Sequence, residues 1–257
     1  MYSKGFGGLI ISYAEDHGIA GNASVNEGLS STMLGMKGIP ALAEDIMVAR
    51  DLWLAEYNNA RVHFTTVSTA GSVELIRAAR KKGLQITADV AAHHLLLDDS
   101  LLAGFDSNYK VKPPLRSLMD IEALKEGLRD GTIDAVCSQH TPHEREFKEL
   151  EFEAAAFGVS ALETTYPVFN MAMGKSATPA RVVQKLAINP RKILGLEIPT
   201  IQKGAPANMT IFDPSRRWVL EKGIMRSKGK NTPFAGQELK GKVLAVINNG
   251  LFQLTDK

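Results

Sequence analysis

Cysteine is almost absent. Cys137 stands alone in 257 residues, which excludes an internal disulfide framework and fits a reducing compartment. No apolar run reaches the roughly 18 residues that a membrane-spanning helix needs. Met1 to Gly8 has no basic segment leading into an apolar one, so the start does not read as a secretory signal. Neither sign of charge prevails. Thirty basic and 28 acidic residues leave a formal net charge of +2, which gives no reason to expect nucleic acid or an anionic membrane surface as a partner. Internal repeats and low-complexity tracts are also missing. These absences leave a cytoplasmic globular protein as the expectation. A composition of 44% hydrophobic and 23% charged residues allows a chain of this length a large core.

What is present is an alternation of apolar β-like runs with helical patterns. Gly8–Tyr13, Val62–Val67, Leu84–Ala91 and Ile133–Ser138 read as buried strands. Between them, Pro40–Asn58, Ser72–Lys82 and Asp120–Arg129 carry helical spacing, with Gly83 and the Asp130-Gly131 pair as stops. Strands alternating with helices predict parallel β/α units. After a further helix over Pro179–Ile188 the pattern turns to short β runs, Met209–Phe212, Arg217–Leu220 and Val243–Ile247, closed by turn residues. Four units are half of the eight that close a (β/α)₈ barrel. The expectation is therefore a partial barrel, or one completed by another copy or chain.

Several segments carry a more specific signal. Val111–Ser117 (VKPPLRS), Asp120–Asp134 (DIEALKEGLRDGTID) and Ser138–His143 (SQHTPH) resemble a block of dihydroorotases that runs N-P-P-L-R, G-L-x-D-G-x-I-D and T-D-H-A-P-H. Upstream, Val67–Arg77 (VSTAGSVELIR) and Thr87–Leu97 (TADVAAHHLLL) are similar to that family's H-V-S-T and T-x-E-V-x-P-H-H-L segments. Downstream, Phe157–Thr164 (FGVSALET), Lys203–Asp213 (KGAPANMTIFD) and Asn231–Gly236 (NTPFAG) match in the same order. The resemblance implies an α/β fold: the second half of a metal-dependent-hydrolase TIM barrel over residues 1–195, and part of a small β-sandwich over 196–257. It aligns Tyr13-Ala14-Glu15-Asp16 with the family's H-C-E-D at the fifth barrel strand. Strands one to four would then lie before Met1, together with the family's H-x-H metal pair, and the chain would be the C-terminal portion of a longer protein.

The family closes or hydrolyses a cyclic amide in pyrimidine biosynthesis, converting N-carbamoyl-aspartate and dihydroorotate. Zinc supplies the activated water and polarises the carbonyl. The resemblance implies three ligand positions in this chain, and all three are altered. Tyr13 replaces the strand-five histidine, Thr66 the strand-six histidine, and Gln139 the strand-eight aspartate. A neutral phenol and a hydroxyl are poor zinc ligands. An amide cannot take up a proton at working pH, so Gln139 cannot act as the family's general base. No metal ligand and no cofactor is therefore expected on this chain. His143 is retained where the family binds the substrate carboxylate, and Lys112 stands where the family has asparagine. Both are expected substrate-binding residues. Arg116 is equally a loop anchor or a functional cation.

The other histidines read as structural. If Thr66 points into the barrel, alternation sends His63 to the helix side. His93-His94 matches a structural pair, His140 beside Gln139 either supports the site from behind or fixes a loop, and His17 is solvated. Glu144–Glu151 reads as a solvated charged face. Met33–Met36 and Met171–Met173 read as core packing. Three functional readings follow from the resemblance. One is an inactive dihydroorotase homologue kept for assembly, as a homo-oligomer or with aspartate transcarbamoylase. The second is a working dihydroorotase with altered ligands. The third is a small-molecule binding protein using the old pocket through His143, Lys112 and Gln139.

Overall fold

The structure, a computed structural model, describes residues 2–255. Met1, Asp256 and Lys257, the outer limits of the two expected domains, lie outside the described residues. In chain order the first elements are β1 (Leu9–Ser12), α1 (His17–Ala20), β2 (Val25–Asn26), α2 (Leu29–Leu34), β3 (Gly38–Ile39), α3 (Leu42–Asn58), β4 (Arg61–Phe64), α4 (Ala70–Lys81), β5 (Ile86–Ala91), α5 (Leu118–Asp130) and β6 (Ala135–Cys137). They are followed by α6 (Arg145–Lys148), α7 (Thr165–Met173), α8 (Pro179–Val183), α9 (Asn189–Leu194), β7 (Met209–Val219), β8 (Glu238–Asn248) and β9 (Leu251–Leu254).

Four parallel strands form one sheet in the order β1-β4-β5-β6, as the alternating pattern predicts. Val62 and Phe64 of β4 and Ile86, Ala88 and Val90 of β5 bury against Val48, Leu52 and Ala55 of α3 and Val73, Ile76 and Ala79 of α4. One face of each strand thus feeds the helix layer. The helix ends follow local chemistry. Thr69 caps α4 by accepting from the Ser72 amide at 3.1 Å. Ser117 and Asp120 form a reciprocal capping box at α5. Gly131, at φ 87°, closes α5 in the left-handed conformation that favours glycine. The tail forms a separate antiparallel sheet, β7-β8-β9.

Three expectations are corrected. The helix expected to stop at Ile188 continues through a π-helical turn, Gln184–Ile188, into α9. Pro190 follows the π-helical turn, in the first turn of α9. Met33 is 77% exposed and is not core, whereas Met173 is buried. α7 carries no amphipathic signal because Tyr166, Val168, Phe169 and Met173 bury it on several sides. The Glu144–Glu151 run is not uniformly solvated, since Lys148 is buried and donates to the Ala156 and Gly158 carbonyls at 2.8 and 3.1 Å. Lys110 does the same for Phe152 and Glu153 at 2.9 Å. Two buried ammonium groups thus clamp the loop over residues 144–158.

Arg116 is an anchor. It is 2% exposed and donates to Asn26 Oδ1 at 2.9 Å, the Ile39 carbonyl at 2.8 Å and Ser68 Oγ at 3.1 Å. Ser68 in turn donates, through its amide and hydroxyl, to the buried Glu44 carboxylate. Removing one partner of a buried charge pair typically costs about 3–5 kcal/mol. Arg116→Met is therefore expected to lower unfolding free energy by about that amount, read as a fall in the urea midpoint.

Burial pushes the Lys148 ammonium down to about 8, helped by repulsion from Lys110 and opposed by Asp106. Below that value both folded and unfolded states hold the proton, and burying the charge carries its full cost. Between about 8 and the ordinary lysine value near 10.5 the folded state binds fewer protons, so stability rises with pH across that window. Raising pH from about 7.5 to about 9.5 should shift the melting-temperature difference between wild type and Lys148→Met in favour of wild type. An unchanged difference in calorimetry would contradict this.

Candidate functional site

Parallel strands gather their carboxyl ends on one side of the sheet, where the loops that follow them meet. Tyr13 directly follows β1, Thr66 lies two residues beyond β4, and Gln139 lies two residues beyond β6. The three positions that the resemblance singles out are thus all at this end. Two of them have left-handed backbone: Thr66 at φ 54° and Gln139 at φ 46°. Such a conformation is strained for a β-branched residue and costs about 1–3 kcal/mol. It persists at Thr66 because the Thr66 amide donates to Asp89 Oδ1 at 2.8 Å and the Thr66 hydroxyl to the Thr65 carbonyl at 2.8 Å.

Asp89 organises the neighbourhood. Its Oδ2 is 2.9 Å from His63 Nε2 and accepts from the Thr65 hydroxyl at 3.0 Å. His63 Nδ1 is 2.9 Å from the Thr87 hydroxyl. His63, Thr87 and Asp89 therefore share the face opposite Val62 and Phe64, away from the helices. The expectation for His63 was the reverse. It extended strict alternation from Thr66 backwards, but the chain leaves strand geometry after Phe64, so the count of two is broken. Burial raises the Asp89 carboxyl, yet hydrogen bonds from His63, the Thr66 amide and Cys137 and the His63 charge outweigh it and hold the group below its usual value.

The donor chemistry at the three positions is poor for zinc. Tyr13 is 42% exposed; burial and the charges of Glu15 and Glu44 push its phenol far above the usual value, against a weaker pull from Arg116. It therefore stays neutral. Gln139 Nε2 donates to the Lys112 carbonyl at 2.5 Å, while its buried Oε1 has no partner. Among the described residues, no group of three or more His, Cys, Asp or Glu side chains could hold a metal ion. The residues present do not fit the family's zinc.

Lys112 is engaged. Its Nζ lies 2.7 Å from Glu15 Oε1, which is also 3.0 Å from His17 Nδ1. Lys112, Gln139, Thr141 and Phe157 line a small cleft of about 170 Å³. His143 buttresses its wall: the His143 ring donates from Nε2 to the Phe157 carbonyl at 2.9 Å. The His143 amide donates to Asn231 Oδ1 at 2.9 Å. Asn231, from the tail motif, also reaches the Thr141 and Gly158 carbonyls at 3.1 Å.

His140 fixes a loop, one of its two expected roles, with Nδ1 accepting from the Ala161 and Leu162 amides at 3.1 and 3.2 Å. His94 donates from Nε2 to the Pro113 carbonyl at 3.0 Å, and burial pushes it down to about 4. His93 is different: it is buried with both ring nitrogens unpartnered. Burial and neighbouring His94 hold it well below its usual value, against an opposing effect of the Gln139 side chain. Sequence reasoning did not single out Glu15, Asp89 or Asn231, whose roles depend on partners distant along the chain.

Comparison with known proteins places these features in context. The chain is 45% identical over 250 residues to a dihydroorotase of Syntrophus aciditrophicus, covering 97% of this chain and 59% of that protein. It is 44% identical over 259 residues to a dihydroorotase of Pelotomaculum thermopropionicum, covering 61% of it. The chain thus spans about three-fifths of the length of these curated relatives. Among solved structures, the dihydropyrimidinase of Brevibacillus agri matches in fold with a TM-score of 0.84 at 22% identity, over 98% of this chain and 58% of that one. The inactive dihydroorotase-like domain of a Chaetomium thermophilum CAD-like multifunctional protein matches with a TM-score of 0.62 at 25% identity, over 80% of this chain and 55% of that one. No helix among the described residues is long and apolar enough to cross a membrane. The amidohydrolase family's model matches residues 38–252, and a parallel sheet with these motifs at its carboxyl ends agrees with it: the chain belongs to the amidohydrolase family.

Proposed function

We propose that this chain is the C-terminal portion of a dihydroorotase-like protein of pyrimidine biosynthesis whose metal-assisted chemistry is impaired. One observation carries the reading: the family's three ligand positions here present a neutral phenol at Tyr13, a hydroxyl at Thr66 and a hydrogen-bonded amide at Gln139. Hydrolysis or closure of an unactivated amide needs an activated water and a proton acceptor, and none of these groups supplies either at neutral pH. The Lys112–Glu15 ion pair at the mouth of the cleft is a charge-neutral arrangement in place of an asparagine.

Within this reading the old pocket keeps a small cleft lined by Lys112 and Gln139 for a small molecule, with His143 supporting the Phe157 wall. We assign the chain to residues 1–195 of barrel and 196–257 of sandwich, and to the cytoplasm. Assembly is then the remaining role, with further copies of itself or with an aspartate transcarbamoylase. The likeness to a domain described as inactive and dihydroorotase-like supports this by analogy of fold and sequence.

The direct test is zinc content and dihydroorotate turnover of the full-length protein. We expect zinc well below one per chain and no turnover. Near-stoichiometric zinc together with turnover overturns the reading. A second expectation concerns Gln139→Asp. Aspartate tolerates left-handed backbone, and losing the hydrogen bond to Lys112 costs only about 1 kcal/mol, so the variant should fold. It should remain inactive, because Tyr13 and Thr66 still present no imidazole. Measurable turnover by this single variant contradicts the proposed loss of ligands.

A further inference from the structure

The same parallel sheet gathers the first residues of its strands at the opposite end. Leu9, Arg61 and Ile86 open β1, β4 and β5, and Asp134 immediately precedes β6. With Arg80, Lys192 and neighbours they enclose a cleft of about 450 Å³, within the usual size of small-molecule sites. We propose that this cleft binds a small phosphate-bearing metabolite, at a site separate from the one marked by Tyr13, Thr66 and Gln139.

The charge balance carries the argument. Arg61, Arg80 and Lys192 line the cleft, and Asp134 is its single acidic residue. Asp134 is already satisfied: Oδ2 accepts from Arg80 Nη1 at 2.8 Å and from the Ala88 amide at 2.9 Å. Arg80 Nη1 also donates to the Thr132 carbonyl at 3.0 Å. Arg61 makes one long contact, 3.4 Å to the Gly7 carbonyl. Neither Arg61 nor Lys192 has an acidic partner among the described residues. Two cations are therefore left over, which matches a phosphate monoester at neutral pH, with its charge of about −1.5 to −2.

A further ammonium lies beside the cleft. Lys185 donates to the Ile133 carbonyl at 2.5 Å beside Asp134. Burial lowers its ammonium, and Arg181 and Arg80 add to this against Asp134 and Asp130. Arginine offers phosphate a planar pair of donors and lysine a point charge. The apolar lining from Leu84 and Ile193 leaves room for a carbon skeleton beyond the phosphate.

The test is calorimetric titration of the full-length protein with ribose 5-phosphate and with inorganic phosphate, at matched ionic strength. Saturable binding is expected, tighter for the sugar phosphate, and at least tenfold weaker in the Arg61→Gln/Lys192→Gln double variant. Both side chains are exposed, so that variant should keep the wild-type melting temperature. If it does not, Lys192→Gln alone serves the same comparison. Equal affinity for both probes, lost in the variant, keeps the site and makes free phosphate its occupant. Absence of saturable binding to either probe at millimolar concentration overturns the proposal, as does wild-type affinity in the variant. Neither result bears on zinc content or turnover at the other end.

Discussion

Hydrogen bonding between parallel strands in fixed register is the constraint on which everything else rests. Leu9 pairs with Arg61, Val62 with Ile86, and Asp89 with Ala135. Since all four strands run the same way, every strand ends on one side and starts on the other. The loops after β1, β4 and β6 must therefore meet, whatever side chains they carry. That is how Tyr13, Thr66 and Gln139 come to share one end with no attraction between them. The same constraint gathers Arg61 and Asp134 at the far end. One sheet thus builds two unlike environments.

At the carboxyl end, buried polar groups hold one another across the sheet. Asp89 joins β4 to β5 through His63, Thr65 and Thr66. Glu15 takes the charge of Lys112, and Arg116 joins the loops of residues 26, 39 and 68. Each carboxylate is matched by a cation or by several donors, as a low-dielectric setting requires. The exceptions are informative. His93 and Gln139 Oε1 are buried and unpartnered, next to the backbone strain at Gln139. Uncompensated polarity and strained backbone tend to collect at functional sites, and here they meet at Gln139.

The tail takes part in this end as well. Asn231 holds the His143 amide and two carbonyls of the loops on either side, and Phe234 is fully buried in the main core. The β-rich segment therefore supports the cleft through a loop, not through its sheet. The lysine clamp of Lys110 and Lys148 performs a similar task for the loop over residues 144–158, using main-chain carbonyls as partners.

The sequence by itself determined the strand–helix alternation, the four parallel strands and the family. These depend on local periodicity and on motifs read along the chain. It also placed His140 and His94 correctly as structural, because their motifs carry that role. Only tertiary structure decided which face His63 occupies, since a left-handed residue at Thr66 breaks the alternation that sequence reasoning extends. It alone revealed that Lys148, inside a charged run, is buried, and that Met33 is not. It alone paired Lys112 with Glu15, Asp89 with His63, and Asn231 with His143. Those pairs are separated by 26 to 97 residues in sequence, and their energies depend on burial that no local pattern encodes.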